Sequence, residues 1–303
     1  MFGGYHERVK ILLTGASSFT GYWFATKLAA AGHEVVCALR GENKSGSDLR
    51  RERLRRLSGN CRLIENVPFG SAGFVELIRS DRAWDLLCHH AAEVANYKSP
   101  DFEPVQALAS NTGNLRQVLA AFQGSPLKGV VLTGTVFEPD EGRGSDGLRA
   151  FSPYGVSKRL TWEVFRHYCH EAGVSLGKFV IPNPFGPFEE KRFTAYLMET
   201  WRAGGVATVR TPDAMRDNIP VDLLAEVYVQ FADRVTRGAG RLEHVSPSGY
   251  TGRMDEFARM MAQKVRARTG WGCDLEIKPQ TDFSEPLDRT NLQPAREMIP
   301  GWS

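Results

Sequence analysis

Short apolar runs alternate with amphipathic segments through roughly the first 180 residues of the chain. The runs are rich in Val, Ile and Leu, as is typical of strands buried on both faces. They predict strands over residues 9–13, 34–39, 62–64, 85–89, 129–132 and 175–181. The segments between them predict helices over residues 20–31, 47–57, 72–80, 104–122 and 153–172. Because strands and helices alternate, the expected fold class is α/β, a doubly wound parallel (Rossmann) sheet with helices on both faces.

This alternation ends at Pro182, and prolines and glycines interrupt the sequence that follows. That sequence predicts helices over residues 193–203, 222–234 and 254–269, and an extended segment over residues 274–278. We interpret residues 183–216 and 247–303 as a smaller C-terminal substrate-binding lobe. The dinucleotide-binding domain is then residues 1–182, joined by residues from roughly 217 to 246.

Composition narrows the classes of function. Hydrophobic residues make up 42% and charged residues 24% of the 303 residues, which is ordinary for a globular protein. A net charge of +3 is too small to favour a nucleic-acid partner. The five cysteines form no Cys-x-x-Cys motif, so neither a metal site nor a disulfide framework is expected. The polar residues 1–10 and the lack of a long apolar segment predict no signal peptide, no membrane span and a cytoplasmic location.

A dinucleotide-type turn follows the first predicted strand, at residues 14–21. Gly15 permits a tight turn, and Gly21 lets the first helix pack close to the sheet. The start of the helix would then face a pyrophosphate. Ser18 stands where such turns usually carry a glycine, and its hydroxyl could bond a phosphate oxygen.

The end of the second strand indicates which dinucleotide binds. A carboxylate there would accept hydrogen bonds from the ribose hydroxyls of NAD, but this chain has Arg40. An arginine can form bidentate hydrogen bonds with the 2′-phosphate of NADP. Arg40 could also be an ordinary surface arginine at a strand end. We therefore expect NADP(H), with NAD(H) as the alternative.

Tyr154 and Lys158 are four residues apart on the predicted helix over residues 153–172, and so lie one turn from each other on the same face. An ammonium beside a phenol favours the phenolate and would lower the tyrosine pKa from about 10. The pair could then act as an acid and base near neutral pH. The pattern is weak alone, but together with the dinucleotide turn it predicts a redox enzyme.

These features occur in an order that resembles the extended short-chain dehydrogenase/reductases of the nucleotide-sugar epimerase/dehydratase family. The resemblance covers nearly the whole chain. Its motifs are residues 14–21, 87–92, 111–114 and 131–137, the pair Tyr154 and Lys158, and residues 183–187 and 216–222.

The resemblance implies roles for individual residues. The catalytic hydroxyl would be that of Thr133, three residues before the pair Val136-Phe137, with Thr135 as the near alternative. The residues expected to contact the cofactor are Gly15, Ser17, Ser18, Phe19, Thr20, Gly21, Arg40, Asn66, Ala91, Ala92, Asn111, Lys158 and Pro182. The residues expected to contact the substrate are Thr135, Asn183, Arg216 and Arg289. Asn111 would support Lys158 through a water, and the two arginines would bind the diphosphate.

The same resemblance narrows the reaction. Members of the family that dehydrate sugars carry an Asp-Glu pair directly after the catalytic threonine, where this chain has Gly134 and Thr135. We therefore expect a reductase of a keto group on a nucleotide-activated sugar. A C4 epimerase is the alternative, and a 4,6-dehydratase or a non-catalytic dinucleotide sensor is less favoured. A homodimer is expected, formed through the helices predicted over residues 104–122 and 153–172.

Overall fold

A computed structural model describes residues 8–42, 46–238 and 240–302 of the chain. Residues 1–7, on which the expectation of no signal peptide partly rests, lie outside the described residues. The strands are β1 Lys10–Thr14, β2 Glu34–Ala38, β3 Arg62–Ile64, β4 Leu86–His89, β5 Gly129–Thr135, β6 Ser175–Ile181, β7 Asn183–Phe185, β8 Ala207–Val209, β9 Met215–Pro220, β10 Leu242–Val245, β11 Pro247–Ser248, β12 Tyr250–Arg253, β13 Leu275–Ile277 and β14 Gln293–Pro294. The helices are α1 Phe19–Ala30, α2 Asp48–Leu57, α3 Ala72–Ser80, α4 Pro104–Thr112, α5 Leu115–Ala121, α6 Pro153–Glu171, α7 Phe193–Arg202, α8 Val221–Arg237, α9 Met254–Thr269 and α10 Ala295–Met298.

Seven strands form one parallel sheet in the order β10-β6-β5-β4-β1-β2-β3. The expected α/β fold class with a doubly wound parallel sheet is thus confirmed. The strand order reverses between β1 and β4, and such a switch point opens a crevice at the carboxyl ends of the strands. The dinucleotide turn after β1 lies at this crevice.

Apolar residues cover both faces of the sheet. One face packs against α1, α2 and α8, and the other against α3, α5 and α6. A separate apolar cluster lies in the later part of the chain, where α7 and α9 meet around Trp201 and Phe257. Three small sheets, β12-β9-β7, β13-β8 and β11-β14, accompany that cluster.

The helix predicted over residues 104–122 is in fact two helices, α4 and α5. Asn114 between them has φ of 53°, which ends a right-handed helix. Its amide donates to the carbonyl of Gly70 at 2.7 Å, and a Cβ at Gly70 would lie 1.9 Å from the carbonyl oxygen of Gly113. The close approach of these two backbones requires the break.

Two strands also differ from the prediction. β5 continues three residues beyond the expected end at Leu132, so Thr133 and Thr135 lie within the strand. The edge strand β10 was not predicted, because it carries Glu243 and His244 and its first residue, Leu242, is exposed. It pairs with β6 through backbone hydrogen bonds, which a pattern of polar side chains does not reveal.

The sequence led us to expect no disulfide framework, no metal site and no membrane span. All five cysteines are buried and free. Over the described ranges no cluster of three or more His, Cys, Asp or Glu side chains could hold a metal ion. In the same part of the chain, no helix combines the length and the apolar character that crossing a membrane requires.

Candidate active site

A single cavity of about 1250 Å³ runs along the carboxyl ends of the sheet, from the dinucleotide turn to the C-terminal part of the chain. It brings together most of the side chains that the sequence singled out. The predicted residues that line it are Gly15, Ser17, Ser18, Phe19, Thr20, Arg40, Ala91, Ala92, Asn111, Thr133, Thr135, Tyr154, Lys158, Pro182, Asn183 and Arg216. Gly21, Asn66 and Arg289 are not among its lining residues.

The dinucleotide turn needs glycine at two positions for steric reasons. Gly15 has φ of +80°, and a Cβ there would lie 2.7 Å from the backbone nitrogen of Ala91. A Cβ on Gly21 would lie 2.1 Å from the carbonyl oxygen of Gly15. Helix α1 therefore starts at Phe19 directly against the turn, and its first N–H groups lack acceptors within the helix. Such an opening suits the pyrophosphate of a dinucleotide.

The hydroxyl of Ser18 has a different role from the expected one. It accepts from the backbone N–H of Gly21 at 3.1 Å and so caps helix α1. It also donates to the carbonyl of Gly15 at 2.9 Å. These bonds engage the hydroxyl within the turn, and its contact with a phosphate oxygen stays a prediction.

His90, which sequence reasoning did not assign to the site, lies at the centre of this region. Its Nδ1 is 2.9 Å from Oγ1 of Thr133, and its Nε2 is 3.1 Å from Oγ of Ser18 and 2.9 Å from Oγ1 of Thr20. Burial, and then the charge of Lys158, lower the pKa of His90 to about 3, so the ring is neutral. The signal available in the sequence was a histidine directly before the small residues 91–92 that border the turn.

The neighbouring His89 organises the other side of β4. Its Nδ1 is 3.0 Å from Oγ1 of Thr14, and its Nε2 is 3.1 Å from the carbonyl oxygen of Asn111. The amide of Asn111 accepts from the backbone of Glu93 at 2.8 Å and donates to Thr161 on α6 at 3.3 Å. Asn111 thus holds a loop and α6 in place, while its link to Lys158 stays a prediction.

Tyr154 and Lys158 both lie in α6 and line the cavity. Lys158 is buried, and this burial lowers the pKa of its ammonium to about 8. Burial, and then the charge of Glu138, raise the pKa of the Tyr154 phenol above its ordinary value. The expected lowering of the tyrosine pKa by Lys158 is therefore wrong for the protein without a ligand, because loss of hydration outweighs the charge of Arg192, the cation that lowers this pKa. A phenol in this state keeps its proton and can donate it.

Aromatic rings hold Tyr154 in position. Tyr97 and Phe102 contact its ring edge-on, with centroid distances of 5.4 and 5.8 Å. This geometry is the favoured one for aromatic pairs. The phenol is thus fixed by packing before any ligand binds.

Thr133 and Thr135 point to the same face of β5, because residues two apart on a strand share a face. Both are buried and line the cavity. Their hydroxyls differ in partner: that of Thr133 bonds His90, and that of Thr135 accepts from the backbone of Phe137 at 3.3 Å. Only the Thr133 hydroxyl is therefore tied to the cofactor end of the cavity.

Two charged side chains crowd the residue between the two threonines. A Cβ at Gly134 would lie 2.8 Å from Cε of Lys178 and 2.9 Å from Oε1 of Glu138. Lys178 is itself buried and donates to Glu138 at 2.5 Å and to Glu141 at 2.6 Å. This ionic cluster fills the space in which a side chain of residue 134 would have to lie. A carboxylate at residue 134 would therefore require Lys178 and Glu138 to move.

The two arginines expected to share one diphosphate lie in different environments. Arg216 lines the cavity, and its guanidinium pairs with Glu285 at 3.2 Å. Arg289 is fully buried, with both carboxylate oxygens of Asp146 at 3.0 and 3.2 Å from its Nη2 and the ring of Phe151 at 5.0 Å. Its guanidinium also donates to the carbonyl oxygens of Val136, Glu138, Glu141 and Arg149. The Nε–H of Arg289 has no hydrogen-bond partner, but the residue is fully buried and does not line the cavity. The structure therefore does not bring Arg289 to the place where it was expected to bind the substrate.

Two other predicted cofactor residues lie at the edge of the site. The guanidinium of Arg40 is largely exposed and lies 3.5 Å from the carboxylate of Glu93. Asn66 is exposed, with φ of 58°, while Val67, Pro68 and Phe69 line the cavity in its place. Asn66 thus lies in a left-handed turn just before the lining residues, and its contact with the cofactor stays a prediction.

The sequence model of the NAD dependent epimerase/dehydratase family matches residues 11–243 of the chain. Among curated protein sequences none matches significantly.

Solved structures of similar fold include a dTDP-glucose 4,6-dehydratase from Streptomyces venezuelae with NAD and TYD bound, with a TM-score of 0.71 at 18% identity, covering 97% of this chain and 91% of that one. A UDP-glucuronic acid 4-epimerase from Bacillus cereus, in complex with UDP-glucuronic acid and NAD, has a TM-score of 0.70 at 17% identity, covering 97% and 95%. A UDP-N-acetylglucosamine 4-epimerase from Methanobrevibacter ruminantium, in complex with UDP-N-acetylmuramic acid, has a TM-score of 0.73 at 14% identity, covering 98% and 93%. At these identities the likeness establishes the fold alone.

Proposed function

Since the chain belongs to the NAD dependent epimerase/dehydratase family, and is thus an enzyme of the extended short-chain dehydrogenase type, we propose that it uses NADPH to reduce a keto group of a nucleotide-activated sugar. One observation carries this proposal: a single cavity is lined by the dinucleotide turn and by Thr133, Tyr154 and Lys158.

In the proposed reaction the nicotinamide supplies the hydride when it is bound. The phenol of Tyr154 donates its proton to the carbonyl oxygen, so that the C=O bond becomes CH–OH. Thr133 donates a hydrogen bond to the same oxygen as negative charge develops on it. Lys158, whose pKa is lowered to about 8, stabilises the phenolate that Tyr154 becomes. A proton from solvent then restores Tyr154.

The preference for NADP is proposed from the charges at the end of β2. Arg40 lines the cavity, and the sequence at the end of β2 contains no acidic residue. The pKa of Arg50 is lowered by burial and by the nearby charges of Arg53 and Arg40, which indicates that several cations lie close together here. Such a cluster favours the dianionic 2′-phosphate. Glu93 opposes it, because the carboxylate already pairs with Arg40.

The cofactor preference has a direct test. Arg40→Ala should weaken NADPH binding by about fivefold, as expected for an exposed ion pair, and leave NADH binding unchanged, both measured by quenching of tryptophan fluorescence. Equal losses for the two dinucleotides would contradict the assignment.

We further propose a diphosphate as the shared part of the substrate. Asn183 and Arg216 line the cavity beyond Tyr154, and a guanidinium suits the geometry of a phosphate. Thr135 would contact the sugar next to the reacting carbon. One protein of similar fold holds UDP-glucuronic acid, and another is a dTDP-glucose 4,6-dehydratase that holds TYD, which supports this class of ligand.

A C4 epimerase is the second candidate. Two of the proteins of similar fold reported above are 4-epimerases. One of these epimerases and the dehydratase hold NAD. An epimerase would use the same three residues to oxidise and then re-reduce one carbon. Elimination of water is less favoured, because Lys178 and Glu138 occupy the space beside Gly134 where a catalytic carboxylate would stand.

We also propose a homodimer formed through α4 and α6. Val105 on α4 and Val156 and Leu160 on α6 are exposed apolar residues, and the last two lie one helical turn apart. Light scattering should give twice the chain mass of 33.7 kDa. Val156→Glu combined with Leu160→Glu should give the monomer, and a monomeric wild type would contradict the proposal.

The reductase and the epimerase are separated by their use of cofactor. A reductase should oxidise NADPH stoichiometrically in the presence of a 4-keto dTDP-sugar. An epimerase should convert UDP-glucose, UDP-glucuronic acid or UDP-N-acetylglucosamine with no net change in absorbance at 340 nm. A protein that binds the dinucleotide and does neither would contradict both candidates.

A further inference from the structure

His90 connects the dinucleotide turn to the strand that carries Thr133. It follows the last residue of β4 and lies between the start of α1 and β5. One edge of its ring meets the hydroxyl of Thr133, and the other meets the hydroxyls of Ser18 and Thr20. The ring therefore lies between the two halves of the site.

The neighbourhood is shaped to hold this ring. A Cβ on Gly21 would lie 2.9 Å from Cδ2 of His90, so glycine at this position makes room for the imidazole as well as for the turn. Phe24 packs against the ring edge-on with a centroid distance of 5.2 Å. The orientation of the imidazole is thus fixed by packing and by hydrogen bonds together.

A neutral imidazole has one N–H donor and one acceptor nitrogen, so its tautomer decides the direction of every bond around it. If Nε2 carried the proton, Nδ1 would accept from Thr133 and use up the only hydrogen of that hydroxyl. If Nδ1 carries the proton, Thr133 accepts from the ring, and its own hydrogen is free for another acceptor. Nε2 can then accept from the hydroxyl of Thr20 at 2.9 Å.

We propose that His90 is a positioning residue that donates its Nδ1–H to the hydroxyl of Thr133 and so directs the hydrogen of Thr133 to the substrate oxygen. This inference rests on the proposed function, because it requires Thr133 to be the hydroxyl that meets that oxygen. A hydroxyl that accepts one hydrogen bond is polarised to donate a stronger one. The same ring anchors Thr133 to the turn through Thr20, which ties the proposed catalytic hydroxyl to the dinucleotide turn.

Two substitutions separate the two edges of the ring. The side-chain amide of His90→Asn lies where Nδ1 lies, and can still donate to Thr133. The amide of His90→Gln lies nearer to the position of Nε2, and can still reach Ser18 and Thr20. Both remove the ring and its contact with Phe24, so they serve as matched controls for loss of packing.

The first test measures the ring itself, without cofactor or substrate. In protein labelled with ¹⁵N-histidine, the signals of His90 are assigned among the seven histidines by their absence in His90→Gln. We expect the proton on Nδ1, and a change in the Nδ1 shift when Thr133→Val removes its partner. A proton on Nε2, or an Nδ1 signal that Thr133→Val leaves unchanged, would overturn the inference.

The second test measures hydride transfer in a single turnover with NADPH and a 4-keto dTDP-sugar. His90→Gln should slow the step by about tenfold, the loss expected for one hydrogen bond to a developing charge, and His90→Asn should stay within about threefold of the wild type. In the Thr133→Val background, His90→Gln should cause no further loss, because both act through one hydroxyl. Independent, multiplying losses would overturn the inference.

The proposed role of Thr133 and the inference about His90 can fail separately. If Thr133→Val reacts at the wild-type rate, Thr133 is not the catalytic hydroxyl, and the proposed function is wrong in this part. If Thr133→Val is slow but His90→Gln is not, Thr133 keeps its role and the inference about His90 alone is wrong.

Discussion

The two ends of the cavity use polar side chains in different ways. At the cofactor end, the uncharged groups of Thr20, His90 and Thr133 bond to one another in a continuous chain. At the substrate end, charged groups pair across the opening, with Glu285 lying 3.2 Å from Arg216 and 3.7 Å from Lys98. The cofactor end is therefore arranged before a ligand arrives. The substrate end must exchange its own ion pairs for those of the ligand.

This difference shows that burial decides what an arginine or a hydroxyl can do. Arg216 keeps access to the cavity, whereas Arg289 has turned inward to hold the segment after β5. A buried cation that donates to backbone carbonyls stabilises the segment behind the site, and a lining cation is available for binding. The following predictions test that division, beginning with the largest effect.

Arg289→Leu should lower the free energy of unfolding by about 3–5 kcal/mol, because it leaves the partly buried carboxylate of Asp146 and four backbone carbonyls without their buried donor. Arg216→Ala should cost only about 1–2 kcal/mol, since it loses two bonds to backbone carbonyls near the surface. Urea unfolding of both variants measures the difference. Similar losses for the two would remove the distinction between a structural and a binding arginine.

Arg216→Ala should weaken the binding of UDP or dTDP by about 10- to 100-fold, because one or two hydrogen bonds between charged groups contribute about that much to the affinity. Titration calorimetry measures the affinity. Arg210→Ala is the control, because Arg210 is exposed and does not line the cavity. Unchanged affinity in Arg216→Ala would place the diphosphate elsewhere.

Stability should fall as the pH is lowered below about 6.5. Burial lowers the pKa of both His89 and His90 to about 3, so the unfolded chain binds more protons than the folded one between about pH 3 and 6.5. Each histidine then contributes up to about 1.4 kcal/mol per pH unit in this window. Buried carboxyls such as Glu138, whose pKa is raised, act in the opposite direction.

The slope of unfolding free energy against pH, measured with urea between pH 7 and 5, tests this origin. His90→Gln should reduce the slope by about one proton, since glutamine does not titrate. An unchanged slope would show that His90 is not held neutral by its surroundings.

Glu285→Gln should tighten the binding of UDP or dTDP by about threefold, because the ligand no longer competes with a partly exposed ion pair of about 1 kcal/mol. The same calorimetric titration measures this smaller effect. Weaker binding in Glu285→Gln would show that the carboxylate holds Arg216 in place for the ligand.

The sequence predicted the cofactor end better than the substrate end, and the reasons are physical. Gly15 and Gly21 are required by backbone contacts over a few residues, which a local motif records. The partners of Arg289 are 140 to 153 residues away along the chain, so no local pattern could reveal them. The role of His90 likewise depends on β4 lying between β1 and β5. The break between α4 and α5 arises from a contact with Gly70 that the helical pattern does not contain.

The central claim is that Tyr154 delivers a proton while the nicotinamide delivers a hydride, in a cavity arranged by the residues around it. The most direct measurement is the single-turnover change in absorbance at 340 nm for wild type and Tyr154→Phe, with NADPH and a 4-keto dTDP-sugar. The wild type should react, and Tyr154→Phe should be slower by about 10²–10⁴-fold with its NADPH affinity unchanged. Equal rates in the two proteins would contradict the account.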